Sequence, residues 1–287
     1  MYTNILVATG GSPWSDAAVA YAIAIASRTG AKLHVLTVLL NPSAYTTPDV
    51  MGGVEVVADL VEHQGRELLA QAEAKAREAR VDVETLYRWG SVPDIILQTA
   101  ADSACDLMVL GARQLSGWKR LRLGRHVNAV AAKARRPVLV VKAPPAAAPG
   151  MPLGRRILVA TGGSPWSDMA VEHAIRLART ECFALCLLHV MPGRRPEPGA
   201  EETGRAILAR ASMRAAEAGI EANEMLQSGD ISKAIVETAA REACDGIILG
   251  SRGSSGWKRL MVGSISNAVA VKTALPVLIV KQRMPVY

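Results

Sequence analysis

Three glycines and a serine late in the chain stand at a spacing that suits phosphate chemistry. Gly250-Ser-Arg-Gly253 is followed by nine residues and then by Gly263-Ser264. Glycine lets backbone approach an anion closely and adopt positive φ. A helix expected to start at Ser264 offers free N–H groups and the positive end of its dipole. Ser264 and Ser266 add hydroxyl donors. The same glycines would also serve as two tight turns flanking a surface loop.

Other chemistries find less support. No G-x-S-x-G elbow is present, and no nucleophile, base and orienting acid share a recognisable spacing. The segment from Gly253 to Lys258 lacks the spacing of a Walker A loop. The five histidines, at 34, 63, 126, 173 and 189, show no common pattern. Cys182 and Cys186 are four apart, but only His189 stands near them, too few ligands for a metal site. Cys105 and Cys244 precede equivalent apolar runs and read as buried small residues.

Charge points the same way as the glycines. The formal net charge is +7, and the stretch from Arg113 to Lys142 holds nine Lys or Arg and no acid. A cationic mouth attracts anions such as phosphate. Nucleic acid is disfavoured as a partner, because beyond Trp118 and Trp257 no aromatic residues are interleaved with the basic ones. No apolar run approaches the roughly 18 residues of a membrane span. The opening MYTNILVATG reads directly as a strand, so a cytoplasmic protein is expected.

The elements that must position these residues come in two copies. Residues 5–16 and 157–168 both read ILVATGGSPWSD, an offset of 152. Later matches, CDLMVLGAR with CDGIILGSR, SGWKRL with SGWKRL, and PVLVVK with PVLIVK, sit at an offset of 139. The first copy therefore carries 13 extra residues between Thr37 and Gly65, with 41–53 the expected loop. The uncharged, Pro- and Ala-rich stretch 143–154 reads as a linker between domains at 1–143 and 155–287. Aromatics are 4% of the chain, so the cores must be aliphatic.

Each copy reads as alternating strand and helix. Strands are expected at Asn4–Thr9, Lys32–Leu39, 81–88, 106–110 and 137–142, and in the second copy near 156–161, 184–190, 221–227, 245–249 and 276–281. Helices are expected at 13–29, 54–80, 93–103 and 127–134, the first capped by Ser12 with Pro13 following. This alternation implies right-handed crossovers and a parallel α/β sheet. Such sheets bind ligands beyond the carboxyl ends of their strands, where the strand order reverses. With the first strand beside the fourth, the Thr-Gly-Gly-Ser loop and the loop after the fourth strand open into one crevice.

With the motif G-x2-G-x9-G-[ST] in place, and over both copies, the chain resembles the universal stress protein family. The resemblance implies two Rossmann-like domains, each with five parallel strands in the order 3-2-1-4-5. It implies adenine-nucleotide binding, with ATP the leading ligand and ADP or AMP the others; Mg²⁺ is not indicated by any paired carboxylates. It places Gly250, Arg252, Gly253, Gly263, Ser264, Ile265 and Ser266 on the phosphate and ribose side. Ala160, Thr161, Gly162 and Val190 are placed near adenine or ribose, Val190 as an apolar wall. Family members also pair two domains through their last strands, which the fused copies could do within one chain.

This sequence departs from the family at two places. The family's first loop commonly carries an Asp where Gly10 and Gly162 stand. The first copy also reads Gly111-Ala-Arg-Gln114 and, nine residues on, Gly124-Arg125. Gln114 replaces the second motif glycine and Arg125 the serine, so the second copy is expected to be the better site. The leading function is a nucleotide-binding stress-response regulator acting on an unnamed protein partner. The alternatives are a slow ATPase or phosphotransferase, which lacks a visible general base, and a ligand-free scaffold of paired copies.

Overall fold

The computed structural model describes residues 2–40, 54–113, 123–142, 154–181, 183–193, 195–251 and 263–281. The loop at 41–53 and the linker at 143–153 lie outside these residues, as do Gln114, Trp118, Arg252, Gly253 and Trp257.

The first copy runs β1 (Asn4–Thr9), α1 (Pro13–Thr29), β2 (Lys32–Leu39), α2 (Val54–Glu78), β3 (Val83–Trp89), α3 (Val92–Asp102), β4 (Leu107–Gly111), α4 (Arg125–Lys133) and β5 (Val138–Val141). The second repeats it as β6 (Arg156–Ala160), α5 (Pro165–Glu181), β7 (Ala184–Pro192), α6 (Ala200–Glu217), β8 (Ala222–Gly229), α7 (Ile231–Arg241), β9 (Gly246–Gly250), α8 (Ser264–Lys272) and β10 (Val277–Val280). Within each copy the strands are parallel and ordered 3-2-1-4-5, as expected.

Strand periodicity explains the layers. Ile5 and Val7 face one aliphatic cluster while Leu6, between them, faces the other. Both faces are apolar because helices cover both, which is why these strands read as unbroken hydrophobic runs. Helix α1 begins where the sequence places it. Ser12 accepts from the backbone N–H of Ser15, whose hydroxyl answers the Ser12 N–H at 2.9 Å. Gly30 ends the helix at φ 68°. The α2 end differs from the reading. Arg80 takes a left-handed φ of 57° and Val81 N donates back to Ala76 O. That closing turn ends α2 at Glu78 and delays β3 to Val83.

The copies join edge to edge into one ten-stranded sheet, β3-β2-β1-β4-β5-β10-β9-β6-β7-β8. The seam is the antiparallel pair β5 and β10, with Leu139 opposite Leu278. Both apolar clusters run across it. Two lysines lock it from opposite sides. Buried Lys142, just past β5, donates to the carbonyls of Val271 and Thr273 at the end of α8, both at 2.7 Å. Lys281, just past β10, donates to Ala131 O near the end of α4. Each copy thus supplies the cation for the carbonyl-rich end of the other's last helix.

Candidate functional site

In the second copy β6 pairs with β7 on one side and β9 on the other. Their carboxyl ends surround a pocket of about 160 Å³. Its walls are aliphatic: Leu188 and Val190 from β7, Leu249 from β9, Ile231 and Ile235 from α7, and Ile265 from α8. Its polar rim comes from Thr161, Gly162, Ser164, Ser167, His189, Gly250 and Ser266. The crevice lies where the reversal of strand order puts it.

Seven of the residues singled out in the sequence meet there: Ala160, Thr161, Gly162, Val190, Gly250, Ile265 and Ser266. Gly263 and exposed Ser264 form the N-cap and first residue of α8, beside the pocket but not lining it. Arg252 and Gly253 lie outside the described residues. Gly263 has an ordinary φ of −53°, and its N–H donates to Ser251 O at 2.9 Å. Ser164 acts as a cap for α5: Ser167 N donates to its Oγ at 3.3 Å.

Two residues have structural duties that their motif positions do not announce. A Cβ on Gly250 would sit 2.4 Å from the backbone oxygen of Trp166. That glycine is demanded by the close passage of β9 against the start of α5, whatever it does for a ligand. The Ser266 hydroxyl, read as a ligand donor, gives its proton to Gly250 O at 2.7 Å. It ties α8 to the end of β9, and toward a ligand it can only accept.

Sequence reading missed His189 and the two α7 isoleucines. The Nδ1 of His189 lies 2.9 Å from Thr161 O. A carbonyl only accepts, so Nδ1 carries a proton and Nε2 is the acceptor in the neutral ring. His189 fixes the first loop against β7. Alternation along β7 would have placed it on the face opposite Leu188 and Val190, but not against Thr161. Ile231 and Ile235 are four apart on α7, a spacing that marks one helix face but not what it covers.

The first copy holds different residues at the equivalent places. Ser266 corresponds to buried Val127, and His189 to Thr37, whose hydroxyl donates to Thr9 O at 2.8 Å. Gly111 repeats the tight passage, with a Cβ only 2.2 Å from Trp14 O. Where the second copy has Ser264, Arg125 is exposed, with Nε 3.2 Å from the Nε2 of His126. Burial, and then the Arg125 charge, lower the His126 pKa. The Arg113 guanidinium stacks 5.3 Å from the Trp14 ring.

Among the described residues no cluster of three or more His, Cys, Asp or Glu could hold a metal ion. Cys105, Cys186 and Cys244 are buried free thiols, and burial raises Cys105 to about 12. No described helix is long and apolar enough to cross a membrane.

Comparison with known proteins accords with this architecture. The model of the universal stress protein family matches residues 1–142 and again 154–281. A universal stress protein of Mycolicibacterium smegmatis is 28% identical over 294 residues, covering 98% of this chain and 97% of its own. The universal stress protein YxiE of Bacillus subtilis is 33% identical over 147 residues, 44% of this chain and 98% of that protein. The crystal structure of a universal stress protein from Archaeoglobus fulgidus superposes with a TM-score of 0.78 at 23% identity, over 98% of both chains. The chain belongs to the universal stress protein family, with two copies of the family's domain in one polypeptide.

Proposed function

We propose that this protein is a stress-response regulator that holds one adenine nucleotide, ATP foremost, in the second of two domains, 155–287. The domain at 1–143 then acts as its companion rather than as an equal site. The observation that carries this reading is the strand-end pocket itself. It has an aliphatic slot between β7, β9 and α7, wide enough to start on a base, and it opens beside the free N–H groups at the start of α8. Ala160, Thr161 and Gly162 line the same slot, and no described side chain crowds Gly162. Binding would alter the surface offered to a protein partner.

Calorimetry with ATP tests the reading on wild type and two variants. Gly253→Gln copies the first copy's motif into the second and is expected to abolish binding. Gln114→Gly restores the missing glycine to the first copy and is expected to add weak binding at a second site. Failure of wild type to bind any adenine nucleotide at about millimolar concentration (about −4 kcal/mol) rejects the proposal. Phosphate release keeping pace with binding would instead make the protein an ATPase.

A further inference from the structure

A second, larger cavity of about 840 Å³ lies at the seam between the copies and shares no lining residue with the strand-end pocket. Its volume falls in the range of small-molecule sites. Arg135 and Arg136, in the turn before β5, face Arg176 and Arg179 of α5 across it. Arg135, Arg136 and Arg179 make no hydrogen bond or ion pair with a described residue, and the fourth guanidinium reaches only the Nδ1 of His173, at 3.3 Å. The acids at the rim are already engaged. Asp106 accepts from the backbone N–H groups of Thr3 and Asn4, at 2.8 and 3.2 Å, and Glu172 lies 3.5 Å from Arg214.

At the cavity floor Tyr2 from the first copy meets His173 from the second, Oη to Nε2 at 2.7 Å. Arginine only donates, so Nδ1 of His173 accepts and Nε2–H points at the tyrosine oxygen. The Tyr2 hydroxyl proton is left uncommitted by that bond.

The fold does not require this charge. The positions related by the internal repeat are Ala24 and Ser27 for Arg176 and Arg179, and Ala274 and Leu275 for Arg135 and Arg136. The same helix and the same turn are built there with no cation at those four positions; α1 carries Arg28 instead, where α5 has Thr180. Four guanidinium groups collected on one side of a pseudo-symmetric seam, three of them unpaired among the described residues, form an anion receptor whose planar forks match phosphate oxygens.

We propose that this seam cavity is a second ligand site, separate from the nucleotide pocket, which binds a small organic or inorganic polyanion carrying two or more phosphate groups. A nucleic-acid strand fits less well, because no stacking aromatic lines the cavity apart from Tyr2, whose hydroxyl is tied to His173. A bound polyphosphate would touch arginines of both copies at once and so tighten the seam.

The test is calorimetric titration of the full chain with inorganic tripolyphosphate at physiological salt. One tripolyphosphate is expected per chain, with affinity unchanged by Gly253→Gln. Arg135→Gln and Arg179→Gln, both exposed positions in different copies, should each weaken it about tenfold or more. Arg135→Lys, which keeps the charge and loses the fork, should fall between. Binding that is lost in Gly253→Gln belongs to the nucleotide pocket and overturns the proposal. So does binding indifferent to both arginines, no binding at about millimolar concentration (about −4 kcal/mol), or tighter arginine-dependent binding of a single-stranded RNA than of tripolyphosphate.

Discussion

The two copies share twelve identical residues at their first strand and loop, yet their strand-end crevices are built differently. In the second copy a serine proton links α8 to the end of β9, and a histidine ties the first loop to β7. In the first copy Val127 and Thr37 stand in those places. What the copies keep in common is what the backbone needs: the serine cap, the left-handed Gly11 and Gly163, and Gly111 and Gly250 beneath the first helix. What they do not share is what a ligand would meet. Chain geometry has been held constant while the chemistry of one site drifted.

The largest effect should come from the shared part and should be the same in both copies. Gly111→Ala and Gly250→Ala each drive a methyl to within 2.4 Å of backbone atoms that cannot move aside without displacing a helix. Each should cost about 3 kcal/mol or more, read as a lowered midpoint in denaturant. A benign result in one copy only would show that the close packing is not common to both.

The next contrast is between His173 and its repeat-related counterpart Tyr21. Burial, and then the Arg176 charge, hold the His173 pKa down at about 4, against an ordinary value of 6.5. The unfolded chain therefore binds a proton between pH 6.5 and 4 that the folded chain refuses. Stability is full above pH 6.5 and falls by about 2 to 3 kcal/mol as the pH drops toward 4. His173→Gln should flatten this part of the stability profile. Tyr21, raised by burial, contributes nothing in that window. An unchanged profile in the variant would mean that His173 is not held neutral.

The smallest and sharpest test concerns the acid that neither copy has. Nothing lies within 4 Å of a Cβ on Gly10 or on Gly162, and neither has a positive φ, so aspartate fits at both. Gly162→Asp should tighten ATP about tenfold, about 1.4 kcal/mol, by calorimetry. Gly10→Asp should leave total binding unchanged, because the first copy still lacks its motif glycine. Equal gains at both would erase the proposed asymmetry.

Much of the fold could be read directly from the residues. Strand and helix order, the parallel sheet and the Ser12 cap follow from hydrophobic runs, local punctuation and the repeat, whereas the 3-2-1-4-5 order, and with it the crevice at the ends of β6 and β9, comes from the family resemblance. Contacts between distant segments could not. Nothing local tells that the Ser266 proton turns inward to Gly250, or that His189 reaches Thr161. Arg136 and Arg176 are brought to one cavity only by an antiparallel seam, whose register depends on both copies being folded. The glycine pattern has a further ambiguity of its own. Gly250 looks like a residue chosen for phosphate, and its neighbourhood shows that packing alone would select it.

The seam has a consequence for how such a protein can diverge. In a pair of identical chains every replacement is made twice, once on each side of the axis. A cation added to one wall then appears on the opposite wall of the mate cavity as well. Here β5 and β10 meet within a single polypeptide, so each half can change alone. Arginines could gather at four positions on one side of the seam while the repeat-related positions hold Ala24, Ser27, Ala274 and Leu275. Within one polypeptide the two halves of the seam are free to differ, which allows one molecule to offer two unlike sites where a symmetric pair would offer the same site twice.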